Sequence, residues 1–402
     1  MRNALRGAAL AYGVLATLFS LLAVLAVAVA ASISLWDDAA GGVPLVVSLT
    51  IVVSMVAVGA GLGAPLAVAA WRSMQRRASP ALRLPPAWWL ALIFIGLLLL
   101  GQLSLGTRLN ALLIPPLHVA VSLLPPLLIV AAITSPLQRG GAGLTRRNLV
   151  AQFSYGGLVG TALAILVEMG VFLGVLVSAG ILVGLAPGAQ DNLLRLAEDL
   201  QAEALYGDPL RLLRSLMSPG VVLGLGLLVA GAVPLIEEFI KSLGAPINGV
   251  VQGRLTRAQA FAFGVMAGVG FSFVEALFYA AQQLPHGWAT GVVLRGLTAV
   301  IHGAATGLFA LGWYEAASGR PARFLLYAAG GIAIHALWNG LSGLTLVAGL
   351  ASMDGSQAMM AAGGMGALLA AGLMAVTWLA ALAVLIVYTR RLSVAQDAPH
   401  AS

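Results

Sequence analysis

The 402-residue sequence contains no cysteine and only one lysine, Lys241. The missing thiols exclude disulfides, thiolate metal sites and a cysteine nucleophile. Charge is scarce as well: 9% of residues are charged and 60% are hydrophobic. A soluble domain needs roughly 25% charged residues to cover its surface, so a set of soluble domains is excluded. The net charge of +7 does not indicate nucleic acid binding. The arginines fall in short segments between apolar runs and form no continuous basic stripe, which makes them a topology signal.

The apolar runs are what the sequence has in abundance. A helix crosses the hydrocarbon core with about 20 apolar residues, and ten runs reach that length: 8–34, 44–71, 88–107, 111–134, 149–186, 219–245, 259–281, 289–314, 324–349 and 359–388. The expected fold is an all-α polytopic membrane protein of about ten spans, with the active-site bundle formed by the last five. The fifth run is too long for one crossing, so it is expected to tilt, break or leave the membrane. Pro115-Pro116 and Pro125-Pro126 in the fourth run predict a kink. The first run exceeds the 7–15 residues of a signal-peptide core and reads as a retained helix.

The alternating inter-span segments hold 16 and four positive residues, with Lys241, Arg254 and Arg257 counted together in the richer set. The asymmetry places both termini in the cytoplasm, and the 20 arginines with a single lysine suggest a bacterium, so the expected location is a bacterial cytoplasmic (inner) membrane. The organisation reads as an N-terminal membrane region over 1–186, an extracytoplasmic connector over 187–218, a core over 219–349, and a last helix with a cytoplasmic tail over 350–402. Within the connector, Leu193, Ala197, Leu200 and Ala204 share one helical face, which suits a helix lying on the membrane surface. Gly264 and Gly268, Gly303 and Gly307, and Gly363 and Gly366 are small-residue pairs that let helices approach closely. There is no convincing internal repeat.

Ionisable groups inside spans are costly and mark functional sites by default. The first five spans hold only His118 and Glu168, which read as a packing histidine and an interhelical hydrogen-bonding group. The last five hold Glu237, Glu238, Lys241, Glu275, Arg295, His302 and His335, with Asn339. Lys241 lies three and four residues after the two glutamates and can reach either along a helix. His335 and Asn339 are four apart and share a face. Glu275, His302 and His335 would supply three ligands to a catalytic zinc, with Glu237 or Glu238 activating water or completing the shell. Arg295 reads as a partner for a carboxylate. Counting from the expected span ends, Glu237 lies ~12 Å deep and Glu275 ~24 Å, a mismatch within one site. A proton-coupled transporter and a non-catalytic scaffold are the competing readings, since buried acids and histidines also build proton relays.

Gly231-Ala-Val-Pro-Leu-Ile-Glu237-Glu238-Phe-Ile-Lys241, then Gly268-Val-Gly270-Phe271-Ser-Phe-Val-Glu275, then Arg295 with His302, then His335-Ala-Leu-Trp-Asn339 together resemble the PrsW family of intramembrane proteases. That family sits within the wider group of CAAX-prenyl-protease and bacteriocin-processing membrane enzymes. The resemblance runs from about Gly231 to Asn339 and implies peptide-bond hydrolysis in the membrane by glutamate-activated water, with or without a metal. It implies catalytic roles for Glu237, Glu238, Lys241 and Asn339, and places Glu275, His302 and His335 in the family's remaining motif positions. Glu275 stands where the CAAX-type relatives have a histidine, and Ala276 stands where the family often has an asparagine. The implied partners are the lipid bilayer and a membrane-anchored protein substrate such as an anti-sigma factor-like regulator.

Overall fold

The computed structural model describes residues 1–34, 45–184, 219–284, 286–351 and 357–394. The surface helix expected within 187–218 lies outside the described residues. Among the described residues there are helices and no strand. They run α1 (Arg2–Ser34), α2 (Leu45–Met74), α3 (Ala87–Ser104), α4 (Asn110–Arg139), α5 (Arg146–Ser154), a π-helical turn over Tyr155–Gly160, α6 (Thr161–Gly184), α7 (Pro219–Leu227), a second π turn over Leu228–Ala232, α8 (Val233–Ser242), α9 (Gly244–Gln252), α10 (Arg257–Ala281), α11 (Trp288–Ala317), α12 (Pro321–Ala351) and α13 (Gln357–Val394). Ten helical segments among the described residues are long and apolar enough to cross a membrane. The chain is an all-α multi-pass membrane protein.

The long fifth run is indeed broken: α5 passes through the first π turn into α6. The fourth run lies in a single helix, α4, although that helix contains five prolines. The sixth run differs more from expectation. It does not stop near residue 245 but continues through α9 to Gln252. Gly253 then ends it at φ +86°, a left-handed conformation that a glycine adopts without a Cβ clash. Three residues later Thr256 starts α10. Its side chain accepts from the Gln259 backbone N–H at 3.2 Å, and Gln259 accepts from the Thr256 N–H at 3.1 Å. This reciprocal capping box fixes where the helix begins.

The revised span end narrows the depth mismatch from about 12 Å to about 5 Å. Glu237 is 15 residues from Gln252, about 22 Å, and Glu275 is 18 residues from Arg257, about 27 Å. Lys241 also leaves the charge count of the inter-span segments, because it is buried within the bundle. The positive asymmetry becomes 15 to four.

Helices α4, α10 and α11 form the centre of the bundle. Ile129, Val130, Ile133 and Leu137 of α4 join Phe261, Val265 and Val269 of α10 and Ile301, Ala304 and Leu308 of α11 in one apolar cluster. Small residues set the spacing. A Cβ at Gly268 would collide with the backbone carbonyl of His302, and one at Gly264 with that of Thr306. On the opposite side of α10, Gly270 abuts the Phe153 carbonyl, and Gly156 of the π turn abuts that of Ala267. Gly303 and Gly307 of α11 receive Val265, Val269 and Phe261. Gly366 reaches only ordinary contact with Ala348.

Candidate active site

The paired glutamates sit on α8, a short amphipathic helix whose buried face carries Glu237, Glu238 and Lys241. The neighbouring helices bring His302 from α11 and His335 from α12 to the same point. One donor atom from each of Glu237, Glu238, His302 and His335 can be chosen so that all four lie within 4.8 Å of one another.

Lys241 occupies the middle and is fully buried. Its Nζ lies 2.6 Å from Glu238 Oε1, 3.0 Å from Glu237 Oε2 and 2.9 Å from His302 Nδ1. An ammonium has three protons and no acceptor, so these three neighbours use all of its donors. It also lies 4.4 Å from the centroid of the Phe271 ring. Glu238 is the most constrained of the acids. Its Oε1 receives Lys241 and His335 Nδ1 at 2.8 Å, and its Oε2 receives the Thr306 hydroxyl at 2.6 Å. Glu237 meets Lys241 through Oε2 only, and its Oε1 has no hydrogen-bond partner among the described residues.

The proton positions follow from the partners. His302 Nδ1 faces a pure donor, so the neutral ring carries its proton on Nε2, which lies 2.8 Å from Glu275 Oε2. His335 Nδ1 faces a carboxylate and donates to it, which leaves the Nε2 lone pair toward the side of Glu237, 3.8 Å away. The two rings meet edge to face at 4.7 Å.

A model of one protein family, described as PrsW family intramembrane metalloprotease, matches residues 145–377, more than half of the chain. The chain belongs to the PrsW family. It is therefore an intramembrane protease, and the transporter and scaffold readings give way. No curated protein and no solved structure matches the chain. The match begins at α5 and so takes in the π turn against which α10 packs, well before Gly231, where the sequence resemblance starts.

Not every expected site residue joins the central group. Glu275 lies outside it, on the far nitrogen of His302, where it also meets Arg295 Nη2 at 2.8 Å. That position suits a carboxylate that orients an imidazole rather than one beside its partner's free nitrogen. Arg295 pairs a carboxylate as the sequence led one to expect. Asn339 donates to the Val229 carbonyl in the second π turn at 3.3 Å and makes no hydrogen bond to Glu237, Glu238, Lys241, His302 or His335. His118 is a buried bridge, bonded to the Leu277 carbonyl at 2.8 Å and accepting from Trp288 Nε1 at 3.0 Å. Glu168 has no interhelical partner among the described residues. Its Oε1 is buried and unbonded, beside a cavity of about 510 Å³ that Phe172, Leu228, Val233 and Ile236 also line.

Sequence reading passed over one group. Glu315, at the end of α11, is fully buried with Arg320 Nε at 2.6 Å and Arg257 Nε at 3.2 Å. It ties the ends of α10, α11 and α12 together. Its signal was weak because a glutamate one residue beyond an apolar run looks like an ordinary polar boundary.

The donor set suits a metal ion. Two carboxylates and two imidazoles are hard-to-borderline ligands of the kind zinc takes. The same donors already gather round the ammonium of Lys241, so the site is built to hold positive charge.

Proposed function

We propose that the chain hydrolyses a peptide bond in or near a transmembrane segment of a membrane-anchored protein, with Glu237 as the general base. The convergence of Glu237, Glu238, His302 and His335 on one buried point carries this reading. The choice of Glu237 rests on its hydrogen bonds. A carboxylate held by three donors, like Glu238, is a weak base, because each bond stabilises its charged form. Glu237 keeps an unbonded oxygen and is the less buried of the two.

In this mechanism Glu237 accepts a proton from water as the oxygen attacks the scissile carbonyl. The proton then passes to the amide nitrogen as the C–N bond breaks, which releases a carboxylate and an amine. Lys241 holds the two carboxylates in register and provides the positive charge that a developing oxyanion requires. Glu238 fixes His335, and Glu275 fixes His302. Glu238, His302 and His335 are the residues that would hold a zinc ion, whose chemistry when bound is to polarise the carbonyl and make water more acidic. Asn339 positions the second π turn at the start of α8.

The cavity beside Glu168 supports lateral access from lipid between the fifth and sixth spans. The substrate class is a membrane-anchored regulator of the anti-sigma factor kind, by analogy with the resemblance. The arginine asymmetry supports a bacterial cytoplasmic membrane location with both termini inside.

The test is cleavage of a single-span membrane reporter in proteoliposomes, with metal content measured on the same protein. Glu237→Gln is expected to lower turnover by about 10²- to 10⁴-fold, the usual worth of a general base, while the protein stays folded. About one zinc per chain, lost in His335→Ala, supports the metal set. Normal cleavage by Glu237→Gln would overturn the assignment of the base.

A further inference from the structure

A second cavity, separate from the catalytic cluster, opens at the end of the bundle that carries the start of α1. It is a half-open cavity of about 120 Å³ between α1, α2, α5 and α9. Arg6 and Arg147 line it together with Asn148, Gln152 and Asn248, and no carboxylate lines it. Leu66 and Ile247 belong to its apolar walls. A cavity with two guanidinium groups and no acid presents an uncompensated positive potential, which favours an anion.

Part of the donor set there lacks partners, although Arg6 Nη1 donates to Asn3 Oδ1 at 3.3 Å. Arg6 Nε is buried and makes no hydrogen bond. The Asn148 side-chain amide also makes none among the described residues. Arg6 Nη2 donates to the Val251 carbonyl at 3.3 Å, and Arg147 Nη1 to the Arg77 carbonyl at 2.6 Å, so both side chains are anchored while keeping further N–H groups. Asn248 accepts from Gln252 at 2.7 Å.

Depth identifies the ligand class. Arg6 lies in the first turns of α1 and Arg147 in the first turn of α5, at the ends of the first and fifth spans. Span ends lie at headgroup level, where clustered arginines meet lipid phosphates. Apolar walls beside a basic end suit an amphiphile better than a small hydrophilic anion. We propose that this cavity binds the phosphate headgroup of an acidic phospholipid, with its acyl chains along the α1 and α2 walls.

Two residues that line the cavity bond to the chain at the end of the catalytic helix. Gln152 Nε2 donates to the Gly244 carbonyl at 3.0 Å, and the Tyr155 hydroxyl to the Ile240 carbonyl at 2.9 Å. Both acceptors lie within three residues of Lys241. A bound lipid would thus sit against the segment that fixes the register of α8.

Native mass spectrometry of the detergent-purified full chain tests this, with phosphatidylglycerol, phosphatidylcholine or inorganic phosphate added. Binding is read without any cleavage, so the result is independent of the proteolytic mechanism. Phosphatidylglycerol is expected to bind at least about tenfold more tightly than phosphatidylcholine, and the Arg6→Gln/Arg147→Gln double variant to lose that preference. Asn248→Asp keeps the acceptor for Gln252 while placing a negative charge in the cavity, and should lose the preference too. It decides the matter if the double variant fails to fold. Equal retention of the two lipids, or an unchanged preference in Asn248→Asp, would overturn the proposal. So would displacement of the lipid by millimolar inorganic phosphate, which would assign the cavity to the free anion.

Discussion

Lys241 has three acceptors for three protons, all inside a bundle of apolar helices. Such a group is strongly constrained, because removing it leaves Glu237 and Glu238 as buried carboxylates with no cation between them. Breaking a buried ion pair by deleting one partner costs about 3–5 kcal/mol. Lys241→Met is therefore expected to lower thermal stability sharply in a melting assay in detergent. Added zinc should recover part of the loss if the remaining donors can take a metal, since a ligand that binds only the folded state stabilises it. Thr306 offers a milder test of the same network. Thr306→Val keeps the shape but removes the donor to Glu238 Oε2, and an unsatisfied buried acceptor costs roughly 1–3 kcal/mol. A melting temperature equal to that of the unmodified protein would show that Glu238 does not depend on this hydroxyl.

At the scale of the helix, small residues decide whether the donors meet. Gly268 lies against the carbonyl of His302 itself, so the α10–α11 separation and the position of that imidazole are set at one crossing. Gly268→Val would press on the His302 carbonyl and the Thr306 hydroxyl, and overpacking of this kind typically costs about 1–3 kcal/mol. The expected result is loss of cleavage together with reduced stability. Gly372→Val, on α13, where a Cβ would meet nothing within 4 Å, should leave both unchanged. The cap at Thr256 is a further element-scale determinant. Thr256→Ala removes the Gln259 N–H acceptor and should destabilise the start of α10 by about 1 kcal/mol, readable as faster hydrogen exchange at Gln259.

Over the whole molecule, the family match covers residues 145–377, yet the central helix α4 precedes it. Because Ile129, Val130, Ile133 and Leu137 fill the space against α10 and α11, a fragment restricted to 145–377 is expected not to fold. Limited proteolysis in detergent would show it, and a compact, resistant fragment would mean that α4 is dispensable. The sequence by itself determined the all-α multi-pass architecture, because apolar runs of spanning length have few other stable arrangements in lipid. It also carried the family resemblance, through four motifs in order from Gly231 to Asn339, while the cost of ionisable residues within spans marked the same helices as a functional site. What it left undecided was which donors face one another. Glu275 and Glu238 are both acids on motif helices, and no linear spacing separates an acid that orients His302 from one that shares its central point. The continuation of the sixth span to Gln252 was likewise hidden, since Gly244-Ala-Pro-Ile-Asn is a plausible turn in one dimension. Only tertiary packing resolved these points: helix crossings governed by glycines and carbonyls 34 to 117 residues apart in the chain fix the rotation and depth of each helix, and those fix which side chains meet.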